Sequence, residues 1–347
     1  MKKSHLFALG ALAAVLVGPL APEAAAQNDR AGTSAFNELL APIAPRTVAL
    51  GQTLSGGLND LTGVEAVASN PGALTTNQAT SAMFSRMEYP ADIGVNYLGV
   101  AQTFGANSIA LTVTAWDYGD IFRTSEGSPE IDEANTWTGS TVVVGGTFAR
   151  RFTDRISAGA TLKGMSQSLD EASASAVAFD AGITYAIEES GLRFGVSLRN
   201  FGTSARFSGT GLGVNIRPQG PIGQNNIGAT VETAEGELPS LLSVGGSYTR
   251  PFQGNVSVTA LASATSNSYD DPQFGGGLEV GYDNLLYVRG GVNMMGGGDD
   301  SQFWDVWNIG AGLNLPVGTG RTLRVDYAYR PASFFDGSQL FSVGLNL

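Results

Sequence analysis

Arginine and carboxylate side chains carry nearly all the chemistry open to this chain. Its one histidine is His5, it has no cysteine, and beyond Lys2 and Lys3 its only lysine is Lys163. Once His5 is removed, a Ser-His-Asp triad, a Cys-His nucleophile and His/Cys zinc sites have no material to be built from. No Gly-Lys-Ser/Thr stands ready for a phosphate loop. Carboxylate-only catalysis of the glycosidase kind is left, as is arginine recognition of anionic groups. The expectation is a protein that is not an enzyme and needs no cofactor or metal.

The charged residues fall at alternate positions. In 321–330, Leu323, Val325, Tyr327 and Tyr329 occupy one face and Arg324, Asp326 and Arg330 the other. The same alternation puts Arg155, Lys163, Arg193, Arg199, Glu279, Arg289 and Asn293 on the inward face of their strands. At membrane depth such charges must face a lumen, because a lipid-facing arginine at the midplane costs roughly 2–4 kcal/mol. Two roles suit them. One is a salt-bridged wall that holds shape. The other is a site for an anionic ligand, such as a fatty-acid carboxylate gripped by arginine.

The elements that position them are long strands. Between Gly146 and Gly202 three segments of ten or more residues alternate apolar and polar, a strand period. Soluble strands average about five or six residues, whereas a tilted membrane strand needs about nine to eleven. The pattern predicts fourteen strands, at 81–89, 93–104, 107–118, 137–152, 154–167, 173–188, 191–201, 240–252, 254–265, 273–282, 284–295, 302–316, 320–330 and 338–347. Residues 226–233 would break the even count and are assigned to a loop. Every second connection is tight, such as Gly105-Ala106 and Glu189-Ser190, and the others are mostly long, such as 119–136 and 202–239. Long extracellular loops alternating with short periplasmic turns mark an outer-membrane barrel. The predicted class is all-β, a 14-stranded antiparallel transmembrane β-barrel spanning 81–347.

The remaining chain follows this plan. Lys2 and Lys3, an apolar run over 6–17 and Ala24-Ala25-Ala26 ahead of Gln27 predict a secretory signal peptide over 1–26. Its removal takes two positive charges and one negative, so the formal −12 becomes −13, which excludes nucleic acid as a partner. Residues 27–80 are not strand-like. A short helix is expected over 31–40, stopped by Pro42 and Pro45. Asn70-Pro71-Gly72 forms a turn, since proline fixes φ and glycine accepts positive φ. This segment either packs on the periplasmic rim or plugs the lumen, with Asn70, Pro71 and Gly72 as the candidate gate. The acidic residues gather in the long loops, from Glu126 to Asp299-Asp300, as solvated surface. Trp116, Trp137, Trp304 and Trp307, joined by Tyr89 and Tyr118, lie at strand ends and predict an interfacial aromatic girdle.

Several runs also carry a family resemblance. Trp116-Asp117-Tyr118-Gly119-Asp120-Ile121, Phe179-Asp180-Ala181-Gly182-Ile183-Thr184-Tyr185 and Arg199-Asn200-Phe201-Gly202 stand in order behind Ala49-Leu50-Gly51 and Asn70-Pro71-Gly72-Ala73-Leu74. Together they resemble the PorV/PorQ family of outer-membrane proteins, a branch of the FadL-like barrels. The resemblance implies a fourteen-stranded FadL-type barrel in a Gram-negative-type outer membrane, with lipid around it. It implies a type IX-like secretion component that docks secreted protein cargo or a translocon on extracellular loops. The alternative it implies is a FadL-like transporter of a hydrophobic ligand.

Overall fold

A computed structural model describes residues 32–57, 63–76, 80–124, 135–187, 190–216, 227–252, 254–296 and 303–347. The signal peptide expected over 1–26 lies outside them, as do loop acids such as Glu126 and Asp299. Among the described residues fourteen strands close into one antiparallel barrel. They are β1 (Ser81–Tyr89), β2 (Ile93–Phe104), β3 (Asn107–Phe122), β4 (Thr136–Arg151), β5 (Ile156–Leu169), β6 (Ala172–Ile187), β7 (Leu192–Gly202), β8 (Leu241–Pro251), β9 (Val256–Asn267), β10 (Gln273–Tyr282), β11 (Leu286–Met295), β12 (Trp307–Pro316), β13 (Thr322–Arg330) and β14 (Ser338–Asn346). Each pairs with its neighbours in sequence, and β1 closes on β14 from Ser81↔Asn346 to Glu88↔Gln339. Closure leaves no sheet edge, which is what a strand protein needs in lipid.

Alternation sorts the side chains by face. On β3, Ile109, Leu111 and Val113 are exposed while Ser108, Ala110 and Trp116 are buried; Leu111 is 71% exposed. A soluble sheet buries its aliphatic face, whereas here that face is outermost, as a lipid-facing wall requires. Inward positions are small and polar. Their hydroxyls pair across strands, Thr147 with Thr161 at 2.8 Å and Ser243 with Thr265 at 2.9 Å.

Two local predictions need correction. Arg155 is exposed and sits in the turn between β4 and β5, so it does not face the lumen. Thr153 is the reason: its Oγ1 accepts the N–H groups of Arg155 and Ile156 at 3.2 and 3.0 Å, which ends β4 early and starts β5 late. Residues 226–233 do not form only loop. Ile227–Thr230 pairs with Gly213–Ile216 as a separate hairpin outside the barrel wall.

Residues 32–57 and 63–76 thread between the strands' inward faces in short helical pieces: 3-10 turns at Asn37–Leu40, Leu54–Gly56 and Pro71–Thr76, and helices α1 (Pro45–Ala49) and α2 (Gly63–Val67). The helix expected over 31–40 shrinks to one turn, and Pro45 starts a helix instead of stopping one, since its fixed φ suits the first helical position. Apolar packing lies between this segment and the wall. Val64, Val67 and Leu74 meet Met83, Tyr97 and Ala110; Val48 and Ala49 meet Met87, Trp116 and Leu340. The barrel thus has a core, and the threaded segment supplies about a third of its buried hydrophobic residues.

Candidate functional site

The segment is pinned first by Asn70. Its Nδ2 donates to Ser55 O at 2.7 Å and approaches Ile183 O and Val196 O on β6 and β7 at 3.2 and 3.3 Å. Its Oδ1 accepts Gly72 N–H at 2.9 Å, which shapes the Pro71–Thr76 turn. Wall glycines allow this approach. A Cβ on Gly182 would lie 1.9 Å from Asn70 Oδ1, and one on Gly195 would lie 2.0 Å from Ser55 O.

A chain of buried charges holds it a second time. Glu279 on β10 and Arg289 on β11 stand directly opposite in register and meet at 2.5 Å. Arg289 continues to Asp326 at 2.5 Å, and Arg324 reaches the same carboxylate at 2.7 Å. The two ends are supplied by the threaded segment. Arg46 of α1 meets Glu279 at 2.9 Å, and Glu65 of α2 lies 4.0 Å from Arg324. Three guanidiniums and three carboxyl groups alternate, so the charges sum to zero when all six are ionised. The Tyr287 ring lies within 5.4 and 5.8 Å of Arg289 and Arg324. Burial raises the Glu65 carboxyl above its ordinary range, against the opposing pull of Arg324 and then Arg46.

The third feature is a cavity of about 100 Å³. Glu38 through Ile43 cover it, Val67, Ala68 and Ser69 lie beneath, and β2 to β8 wall it. Lys163 meets Asp180 at 2.5 Å and donates to Asn200 Oδ1 at 2.8 Å. Asp180 also accepts Asn200 N–H at 2.7 Å, where the β6–β7 register slips and Asn200 takes φ +59°. Arg199 donates Nη1–H to Ala68 O at 3.0 Å.

The other predicted residues are scattered. Arg193 is half-buried on the face of Gly195 and Ser197. Asn293 donates to Gly51 O at 3.4 Å. Arg330 lies over the Trp304 ring at 4.2 Å. That ring belongs to an interior group, with Tyr89 5.4 Å from Trp304 and 5.6 Å from Trp116. The girdle expectation is corrected accordingly: Trp116 is only 5% exposed and faces inward, and Trp307 is the exposed tryptophan. Glu38, Arg46 and Glu65 were absent from the sequence-based candidates. Their signal is modest: each is an isolated charge in a small, apolar, glycine-rich stretch.

No protein-family model and no curated protein sequence matches the chain. Solved structures do. The Pseudomonas putida toluene transporter TodX aligns over 87% of this chain and 96% of its own, at 11% identity and a TM-score of 0.51. A Pseudomonas aeruginosa FadL homologue aligns over 88% and 98%, at 13% identity and a TM-score of 0.52. A TodX variant, described as a monoaromatic hydrocarbon channel, gives 0.53 at 12% identity over 88% and 97%. The chain has the fold of FadL-type outer-membrane barrels. Its lipid-facing belt places it in a Gram-negative outer membrane.

Proposed function

We propose that the protein is a plugged, non-catalytic outer-membrane channel for small hydrophobic compounds, working as FadL-type transporters do. The reading is supported by residues 32–57 and 63–76, which pack against the inward faces of the strands and leave a cavity of about 100 Å³. A general porin needs an open aqueous lumen, and this arrangement suits a gated route instead. In this reading residues up to 80 form the plug, 81–347 the barrel, and Asn70, Pro71 and Gly72 the part of the plug seated on β6 and β7. Arg289, Arg324, Asp326 and Glu279 are the plug's anchor on the wall, and Lys163 and Arg199 face the compound. The hydrocarbon transport named for the TodX structures supports the choice of compound class.

Proteoliposomes test it directly. Toluene should enter vesicles holding the protein faster than protein-free vesicles of the same lipid, and equal rates would refute the proposal. Docking of secreted cargo, the PorV/PorQ reading, has one observation in its favour: the hairpin between β7 and β8 exposes Val214 and Ile216. A deletion strain with unchanged surface proteins would set that reading aside.

A further inference from the structure

The cavity is not lined as a hydrocarbon site would be. Glu38 Oε1 is fully engaged, accepting from Tyr118 Oη, from Gln167 Nε2 at 2.6 Å and from Thr141 Oγ1 at 3.4 Å. Its Oε2 is buried with no partner, and so is Nε of Arg199. Both residues line the same cavity, as does Ser55, whose Oγ is likewise unpartnered. Buried polar atoms are costly to leave without a partner, the more so when they are charged.

The charges are also separated. Lys163 and Asp180 neutralise each other at 2.5 Å. Among the described residues no carboxylate lies within ion-pair distance of Arg199; its hydrogen bond goes to the Ala68 carbonyl, and Asp180, already paired with Lys163, acts on it only from farther off. Glu38 is tied to β3, β4 and β5, whereas Arg199 projects from β7. Two strand spacings, about 10 Å of wall, separate β5 from β7. The cavity therefore has an acceptor pole and a cationic donor pole, with Val67, Val143 and Trp116 among the apolar groups lining it. At about 100 Å³ it is smaller than the roughly 150 Å³ of an engineered cavity that takes benzene, so a ring enters it only as the lining side chains give way.

We propose that this cavity binds a compact bipolar organic acid, its carboxylate on Arg199 and a hydroxyl or ammonium donor on Glu38 Oε2, with a monoaromatic-sized body between. The inference rests on the channel reading and sharpens its compound class. A bare hydrocarbon would fill the middle and leave both poles unmet. An acid with no donor would satisfy one pole and bring its charge toward Glu38.

Calorimetric titration of the purified full-length protein in detergent tests it, with 4-hydroxybenzoate as the probe and 4-methylbenzoate as the equal-sized acid lacking the donor. The expected result is binding of 4-hydroxybenzoate about tenfold or more tighter than 4-methylbenzoate, and a loss of about tenfold or more in Arg199→Gln. Arg199→Lys should recover part of that loss. Heat-modifiable gel migration verifies that each variant keeps its barrel. Equal affinity for the two acids, or unchanged affinity in Arg199→Gln, would overturn the proposal. Toluene uptake into vesicles separates it from the parent reading. Uptake without binding of 4-hydroxybenzoate overturns the ligand class alone, and binding without any uptake overturns the channel alone.

Discussion

Arg46 and Glu279, 233 residues apart, meet through two hydrogen bonds of 2.9 and 3.1 Å, with the arginine fully buried. One residue belongs to the threaded segment and the other to the wall. Their pairing makes the segment's position a matter of charge as well as packing. Arg46 needs Glu279, and Glu279 is shared with Arg289. Withdrawing the segment would part Arg46 from Glu279 and Glu65 from Arg324, while the wall's own two arginines and two carboxylates stay paired; separating buried opposite charges is costly. The chain of pairs therefore favours one seated state over a continuum of partly seated ones.

The sharing predicts an asymmetry between two variants. Glu279→Leu removes one carboxylate shared by Arg46 and Arg289, and should destabilise the folded barrel by about 3–5 kcal/mol. Arg46→Met leaves Glu279 on Arg289 and should lose less. Urea unfolding in lipid vesicles, followed by tryptophan fluorescence, measures both. Equal losses would mean that the pair is not shared as described.

Glu65 predicts a pH dependence. Its carboxyl is raised from the ordinary 4.5 by burial. A raised value means that the folded state holds the proton more tightly than the unfolded one. The associated stability is fully present below pH 4.5 and is lost as pH rises through the folded value. As pH rises above 4.5, wild type should lose stability relative to Glu65→Gln, which keeps the shape and cannot ionise. A difference between the two that stays constant over this range would contradict the assignment.

Close packing of the plug on wall glycines predicts a leak. In Gly195→Val the new Cβ would meet Ser55 O at 2.0 Å, and in Gly182→Val it would meet Asn70 Oδ1 at 1.9 Å. Either should push the segment off β6 and β7 and raise ion conductance in planar bilayers. Gly164→Val meets nothing within 4 Å and should conduct as wild type does. Wild-type conductance in all three variants would show that the segment does not seal the lumen at these contacts.

The wall was legible in the sequence because one contrast, apolar against polar at every second residue, determines both strand and face. Arg289, Arg324 and Asp326 could be placed inward by counting from Val288 or Val325. Arg155 failed because the count crossed a turn whose extent depends on the Thr153 hydroxyl, a local bond that periodicity does not encode. Trp116 was assigned by residue type and strand-end position, although its parity with Ser108 and Ala110 already put it inside. The threaded segment has no period at all. Its helices are five residues long, and their positions come from contacts such as Arg46 with Glu279 that span most of the chain. The acidic pole of the cavity was hidden for the same reason: Glu38 finds Tyr118, Thr141 and Gln167 only after β3, β4 and β5 have closed into the wall.

The central claim is that small molecules cross only when the threaded segment moves, and the absence of native cysteine permits a direct test. A Cβ on Gly245 would lie 2.3 Å from Ser55 Oγ, so Ser55→Cys with Gly245→Cys brings two thiols together between plug and wall. Toluene uptake by vesicles holding this double variant should fall about tenfold or more when the disulfide forms, since a bridged pair holds its Cα atoms within about 7 Å. Reduction should restore it. Uptake that is the same oxidised and reduced, with the disulfide verified by mass spectrometry, would contradict a moving plug.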